Sequence, residues 1–186
     1  YPHIIRRNRT SVAVLNGEES QTELSNMGHD IFDYFGLGCR NVSKLFVPAG
    51  YDFHVFFNAI YPFRNIIEHN KYANNYEYNR TIYLMQNTAG LLDNNFVLLK
   101  PDAGYGSPIG VLFYEYYTSM NALKNKLIAD KELLQCVVSN LSFVEGAIPM
   151  VGANGEIYVV WQSAAGLVFN KSLDDGVTWM NQETLI

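Results

Sequence analysis

The chain has 186 residues, of which 48% are hydrophobic and 17% are charged, a balance typical of a folded globular protein and not of a disordered one. Its formal charge of −5 argues against a nucleic-acid partner, which would require a basic surface. No apolar run approaches the roughly 20 residues that cross a membrane, and no signal peptide is present. We therefore expect a cytoplasmic protein, and the start without Met suggests a piece of a longer one.

The first predicted elements are a strand and a capped helix. Residues 11–15 form a β-branched run that ends at an Asn-Gly pair, which predicts a buried strand. Ser20 and Glu23 have the spacing of a capping box, and apolar residues then recur at helical intervals as far as Phe35. We expect this helix to end at Gly36.

The elements that follow, up to about residue 140, continue the alternation of strands and helices. They are a strand over 44–47, a helix capped by Asp52, a helical stretch over 62–87 interrupted near 72–79, strands over 96–99 and 110–117, a helix over 120–129 capped by Ser119, and a strand over 134–138. Most of these strands are continuous apolar runs, which predicts burial on both faces. The fold class is therefore α/β with a largely parallel sheet.

Beyond about residue 140 the pattern changes to short strands without helices. Strands are predicted near 148–152, 156–162, 167–170 and after 178, with an Asn154-Gly155 turn between the first two. We place a boundary between residues 139 and 145. The chain is thus expected to comprise an α/β part over 1–140 and a short all-β tail over 141–186.

Cys39 is the strongest candidate for a reactive residue. It lies in a Gly-Leu-Gly-Cys-Arg turn, where Gly38 leaves room for a substrate and Arg40 can favour a thiolate. Backbone N–H groups around Cys39 can also hold an oxyanion. The alternative is a cysteine that is simply packed, and spacing alone favours it.

The other cysteine and the histidines are expected to be structural. Cys136 lies in an apolar run that predicts a buried strand. His29, His54 and His69 have no metal-ligand spacing with the cysteines, so no metal site is expected.

Three segments resemble one enzyme family. The strand, capped helix, Gly-x-Cys turn and strand over residues 11–47, ending in GLGCRNVSKLFVP, are similar to the catalytic-cysteine region of the aldehyde dehydrogenase superfamily. NNYEYNRTIYLMQN and SPIGVLFYEYY resemble its acyl-CoA reductase branch, the luminescence-type enzymes that form long-chain fatty aldehydes. The resemblance implies that residues 1–140 are part of an aldehyde dehydrogenase-like catalytic domain.

The resemblance also implies a reaction. Cys39 would attack an acyl-CoA substrate, CoA would leave, and a hydride from NADPH or NADH would reduce the thioacyl-enzyme to an aldehyde. The cofactor would be bound mainly by a part absent from this chain, and a homo-oligomer is possible because members of the superfamily generally oligomerise.

Two departures from the family pattern bear on the site. Residues 3–7 hold no counterpart of the glutamate that activates water in hydrolytic members, which suits a reductase, and His3 is a candidate proton donor or acceptor there. The alternative for His3 is an ordinary surface residue. Ser107 and Pro108 match a loop that contacts the nicotinamide ribose, but its glutamate is missing, so any contact must differ or be weaker.

The tail carries a second resemblance. Its residues match the Asp-box Ser-x-Asp-x-Gly-x-Thr-Trp of sialidase-like repeats, a structural motif that ties up a hairpin turn. The matching residues are Ser172, Asp174, Gly176, Thr178 and Trp179. One blade cannot close a β-propeller. The alternatives to an enzyme fragment are therefore a non-catalytic, glycan-binding β-repeat module and an inactive chimera.

Overall fold

The structure is a computed structural model that describes residues 9–139, 145–151, 157–163, 166–173, 178 and 183–185. The chain divides into two compact units, residues 1–140 and 141–186. No helix in the described ranges is long and apolar enough to cross a membrane.

The first unit is built on a six-stranded sheet. Its strands are β1 (Thr10–Val14), β2 (Val42–Pro48), β3 (Leu92–Asp93), β4 (Leu98–Pro101), β5 (Val111–Tyr117) and β6 (Leu134–Ser139), in the spatial order β3-β4-β5-β2-β1-β6. Every neighbouring pair is parallel except β3 with β4, which is antiparallel. The predicted α/β class with a largely parallel sheet is confirmed, and only the short β3 was not predicted.

Four α-helices within residues 9–139 accompany this sheet. They are α1 (Gln21–Phe32), α2 (Phe53–Ile60), α3 (Asn70–Met85) and α4 (Met120–Ala129). The main core joins α1 and α2 to one face of the sheet, where Leu45 and Val47 of β2 and Phe56 of α2 are fully buried. Each buried side chain of this kind stabilises the fold by about 1.5–3 kcal/mol.

The start of α1 agrees with the sequence, but its end does not. Ser20 and Glu23 form both hydrogen bonds of the predicted capping box. The α-helix ends at Phe32 instead of Phe35, and a 3₁₀ turn follows over Asp33–Gly36. Tyr34 and Phe35 both have left-handed backbone angles (φ 58° and 60°), which cannot continue an α-helix. The predicted helix was therefore three residues too long.

The predicted interruption at residues 72–79 was wrong, because α3 is continuous across them. Tyr72, Tyr76 and Asn79 lie on one buried face of this helix. Their side chains donate hydrogen bonds to Phe96 O (2.9 Å), Asp93 Oδ1 (2.6 Å) and Ile109 O (3.1 Å), respectively. These tertiary contacts outweigh the modest helix propensity of Asn and Tyr. The irregular segment lies earlier, as a 3₁₀ stretch over Tyr61–Glu68.

Strand β6 was predicted to be buried, and this was also wrong. Among the described strands, its only neighbour in the sheet is β1 on one side, and its side chains are exposed or half-buried between buried ends. Val137 is 44% exposed, and Cys136 is half-buried. An apolar run of this length does not reveal whether a strand lies at the centre or the edge of a sheet.

The second unit, taken by itself, is an antiparallel sheet. Its strands β7 (Glu145–Val151), β8 (Ile157–Ser163), β9 (Gly166–Ser172) and β10 (Glu183–Leu185) follow one another in the order β10-β9-β8-β7. Their pairings are antiparallel throughout. The predicted Asn154-Gly155 turn lies outside the described residues.

Candidate functional site

Cys39 lies in the turn that joins the end of α1 to the start of β2, and it is exposed. The amino ends of the parallel strands β1, β2 and β5 meet at this edge of the sheet. The residues that precede β5, including Ser107 and Pro108, therefore lie on the same side as Cys39. The packed-cysteine alternative does not apply, because the side chain is not enclosed.

The turn is held by a residue that the sequence reading did not single out, Asn41. Its side-chain Nδ2 donates to the backbone oxygens of Asp30 (2.9 Å) and Asp33 (2.7 Å). Its Oδ1 accepts from Gly38 N (2.8 Å), and its own N–H donates to Gly38 O (3.0 Å). Asn41 is buried, so it ties carbonyls near the end of α1 to the turn that carries Cys39.

Gly38 is required by this close approach. A Cβ at Gly38 would lie 2.7 Å from Asn41 Oδ1, and real Cβ atoms do not come so near. The same contact bears on the oxyanion prediction, because the N–H of Gly38 is already donated to Asn41. Within residues 9–139, no acceptor takes the N–H of Cys39 or Arg40. Those two N–H groups are the turn's available donors.

Ser11 supports Cys39 from the neighbouring strand. Its hydroxyl donates to the backbone oxygen of Cys39 at 2.9 Å, and its side chain is completely buried. Strand β1 therefore holds the turn on one side while Asn41 holds it on the other. The signal for Ser11 in the sequence was only that a polar residue begins an otherwise apolar run.

The residues just before Cys39 combine strain with exposed apolar surface. Left-handed backbone costs roughly 1–2 kcal/mol at a non-glycine residue, and both Tyr34 and Phe35 adopt it. Tyr34 is 81% exposed and Leu37 is 69% exposed. Strain of this kind often accompanies functional sites because the fold must hold it in place.

A cleft of about 480 Å³ opens beside these residues. Phe35 and Leu37 line one part of it, and Tyr72 and Ile109 line another. His69, whose ring meets Phe35 edge-on at 4.7 Å, also lines it. The volume lies within the range of small-molecule sites, which are mostly apolar with a few polar groups. Leu37 stands two residues before Cys39, so the cleft adjoins the thiol-bearing turn.

Ser107 and Pro108 line a second and much smaller cleft. It measures about 20 Å³ and is shared with Gly36 and Val42. The Ser107 hydroxyl donates to Val111 O at 2.6 Å, so it serves its own loop. A space of this size does not fit a nicotinamide, since ligand sites are about 300–1,000 Å³. The cofactor contact predicted for these two residues stays a prediction.

The remaining predicted site residues are exposed, buried or outside the described part of the chain. Arg40 is exposed beside Cys39. Ser172 is buried at the end of β9, and Thr178 is exposed. Four predicted site residues lie outside the described ranges: His3, Asp174, Gly176 and Trp179. Among described residues, no group of three or more His, Cys, Asp or Glu side chains is placed to hold a metal ion.

A buried lysine follows the turn on β2. Lys44 is completely buried and donates to Glu115 Oε2 (2.7 Å) and to the backbone oxygens of Asp102 (2.9 Å) and Ala103 (3.1 Å). Lys126 of α4 pairs with the other Glu115 oxygen. Burial lowers the pKa of Lys44, and the Glu115 carboxylate opposes that change. All three protons of the ammonium group are used internally, so Lys44 is a structural support for the site.

Replacing Asn41 with alanine is expected to destabilise the chain by about 2 kcal/mol, because two carbonyls near the end of α1 and the N–H of Gly38 lose a partner. The free energy of unfolding, measured by urea denaturation, tests this. Asn75→Ala is the matched control, since the Asn75 side chain makes one hydrogen bond to Lys71 O on the exposed surface of α3. Equal losses in the two variants would show that Asn41 does not hold the turn.

No protein-family model matches the chain, and no curated protein matches it significantly. A functional proposal therefore depends on the geometry of the described residues and on the resemblance in the sequence.

Proposed function

We propose that residues 1–140 are part of an acyl-CoA reductase of the aldehyde dehydrogenase superfamily and that Cys39 accepts the acyl group. One observation carries the proposal: the exposed Cys39 lies on a turn fixed by Asn41 and Ser11, and Leu37 of the same turn lines a mostly apolar cleft. Covalent catalysis needs a nucleophile that is accessible and held in place, and this turn meets both requirements.

The acyl-transfer step follows from the groups around the turn. The Cys39 thiolate attacks the thioester carbonyl carbon, and the carbonyl oxygen takes up the negative charge. The free N–H groups of Cys39 and Arg40 are suited to stabilise that oxygen. Collapse of the intermediate breaks the bond to CoA, which leaves as a thiolate, and the acyl group remains on Cys39.

The cleft beside the turn supports a long acyl chain as the substrate. Its apolar wall includes Phe35, Leu37 and Ile109, and burying hydrocarbon there contributes about 0.8 kcal/mol per methylene. The net charge of the chain is −5, so the exposed Arg40 is a local positive group in an acidic protein and is suited to the anionic CoA.

The reductive half of the reaction is proposed from the resemblance alone. NADPH or NADH supplies a hydride in the enzymes that the sequence resembles. The small cleft at Ser107 and Pro108 does not fit a nicotinamide. We expect acyl transfer without turnover to aldehyde.

Acyl transfer is tested by incubating the full chain with myristoyl-CoA and measuring its intact mass. We expect one acyl adduct that hydroxylamine removes, as a thioester requires. The adduct should be lost in Cys39→Ala and retained in Cys136→Ala, which is the matched control for removal of a thiol.

The proposal fails if the folded chain forms no adduct, or if the adduct persists in Cys39→Ala. Circular dichroism of each variant establishes that the fold is intact. An adduct that depends on Cys136 instead would place the reactive thiol on β6.

A second candidate concerns residues 141–186 only. Four antiparallel strands in sequential order are the form of one propeller blade, and Ser172 of the Asp-box is buried at the end of the third strand of this sheet. This favours a non-catalytic β-repeat module that binds glycans. Binding of the full chain to a glycan array would support this candidate, and a blank array would remove it.

A further inference from the structure

The two cysteines of the chain meet at a single hydroxyl group. Cys136 Sγ donates to Ser11 Oγ at 2.9 Å, and the same hydroxyl donates to the backbone oxygen of Cys39 at 2.9 Å. The distance from the Cys39 carbonyl oxygen to the Cys136 sulfur is therefore at most the sum of these two hydrogen-bond distances. No motif in the sequence relates the two residues.

The topology explains this convergence. Strand β1, which carries Ser11, lies between β2 and β6 in the sheet. Neighbouring strands are about 4.8 Å apart, so β2 and β6 alone are too distant for a bond between their side chains. The turn before β2 closes the gap, because it approaches β1 closely enough for Cys39 O to accept from Ser11.

The two thiols differ in exposure in the way that a redox pair requires. Cys39 is exposed, so a small oxidant in solution can reach it. Cys136 is half-buried, and its thiol donates to the Ser11 hydroxyl that in turn donates to the Cys39 carbonyl.

We propose that Cys39 and Cys136 form an intramolecular disulfide when the protein meets hydrogen peroxide. The Cys39 thiolate attacks the peroxide oxygen and becomes a sulfenic acid, and water is released. The Cys136 thiol then attacks the Cys39 sulfur, the S–S bond forms and the sulfenic oxygen leaves as a second water. Two thiols are oxidised by two electrons, and one hydrogen peroxide is reduced to two water molecules.

The hydrogen bonds to Ser11 bring the Cys39 backbone and the Cys136 thiol close together in the folded chain. A disulfide needs Cα atoms about 4.4–6.8 Å apart, and the Cys39 carbonyl is already bonded to the residue that holds Cys136. The Cys39 side chain is exposed, and the bond requires it to turn toward β6. The disulfide would shield Cys39 from irreversible oxidation and withhold its thiol until a reductant restores it.

This inference does not rest on acyl transfer, because it requires only the two thiols and their positions. The full chain is treated with hydrogen peroxide, digested without reduction and mapped by mass spectrometry. We expect the peptides of Cys39 and Cys136 to be linked within one chain, independently of protein concentration, and to separate on addition of dithiothreitol.

The single variants define the two steps. In Cys136→Ser, peroxide should leave a sulfenic acid on Cys39 that dimedone traps. Without dimedone, this sulfenic acid should oxidise further, so that sulfinic acid on Cys39 reaches a level about tenfold above that in the unchanged chain. In Cys39→Ser, Cys136 should oxidise about tenfold more slowly, because it is half-buried. Circular dichroism checks that both variants are folded.

Two results would overturn the inference. One is sulfinic acid on Cys39 of the unchanged chain at the level found in Cys136→Ser, which would mean that Cys136 does not resolve the sulfenic acid. The other is a linkage found only between two chains. Failure of acyl labelling would not alter either readout, so the two proposals are tested separately.

Discussion

Replacing Glu115 with glutamine is expected to lower the free energy of unfolding by about 3 kcal/mol. The substitution keeps the shape of the side chain and removes its charge, which leaves the completely buried Lys44 without its carboxylate. An uncompensated buried charge is strongly destabilising, typically by about 3–5 kcal/mol. We expect the lower end because Glu115 is itself partly exposed, and solvent screens its charge. Urea denaturation at neutral pH gives the measurement.

A matched control separates this effect from loss of surface charge. Glu77 forms an exposed pair with Arg80 at 3.9 Å on α3, so Glu77→Gln should cost less than about 0.5 kcal/mol. If Glu115→Gln costs no more than Glu77→Gln, the buried ion pair does not stabilise the fold.

The pH dependence of the free energy of unfolding provides an independent check on the same variant. Burial would raise the pKa of Glu115, but hydrogen bonds from Lys126 and Lys44 outweigh it, and the pKa lies below its ordinary value of 4.5. The ionised Glu115 therefore stabilises the fold fully above the pKa that it has in the unfolded chain. This stabilisation is lost as the pH falls through the lower pKa of Glu115 in the folded protein. The difference in free energy of unfolding between Glu115→Gln and the unchanged protein should accordingly become smaller as the pH falls below about 4.

Substitution of Gly110 by alanine is expected to destabilise the first unit by about 3 kcal/mol. Gly110 has a φ of +78°, and a Cβ there would lie 2.9 Å from both Cα and Cβ of Tyr76 on α3. Left-handed backbone costs roughly 1–2 kcal/mol in alanine, and forcing the helix backbone away adds about 1–3 kcal/mol. The free energy of unfolding measured by urea denaturation tests this expectation.

Gly50→Ala is the control for backbone conformation alone. Gly50 has nearly the same φ, +79°, with nothing within 4 Å of the position of a Cβ, so its substitution should cost about 1 kcal/mol. A similar loss in both variants would mean that α3 does not restrict the Gly110 position. The comparison also bears on the cleft, because Ile109 and Tyr72 line it.

Local signals in the sequence were reliable where a residue's partner lies within the same turn of chain. The capping box of Ser20 and Glu23 and the caps at Asp52 and Ser119 are all present. Each involves a side chain and a backbone N–H two or three residues away, so sequence spacing is enough to predict it.

The same reasoning failed where distant partners decide the outcome. The stretch at residues 72–79 reads as an interruption by composition, yet Tyr72, Tyr76 and Asn79 hold it as helix through bonds to Phe96, Asp93 and Ile109. Helix propensity is a weak preference of a few tenths of a kcal/mol per residue, and buried hydrogen bonds to carbonyls and carboxylates exceed it.

The fold and the candidate site likewise have features that follow from local sequence and features that depend on distant contacts. The sequence by itself determined the α/β class, the largely parallel sheet and the glycine-flanked turn that carries Cys39, because these follow from periodicity and local spacing. Only the tertiary structure decided that Asn41 and Ser11 hold that turn, that Glu115 compensates Lys44, and that Cys136 approaches Cys39. Asn41 bonds to residues 3 to 11 positions earlier, but no regular spacing marks those partners. The partners of Ser11, Lys44 and Cys136 are separated by long stretches of chain, and the order of strands in the sheet, which brings them together, is set by packing of the whole core and leaves no local pattern.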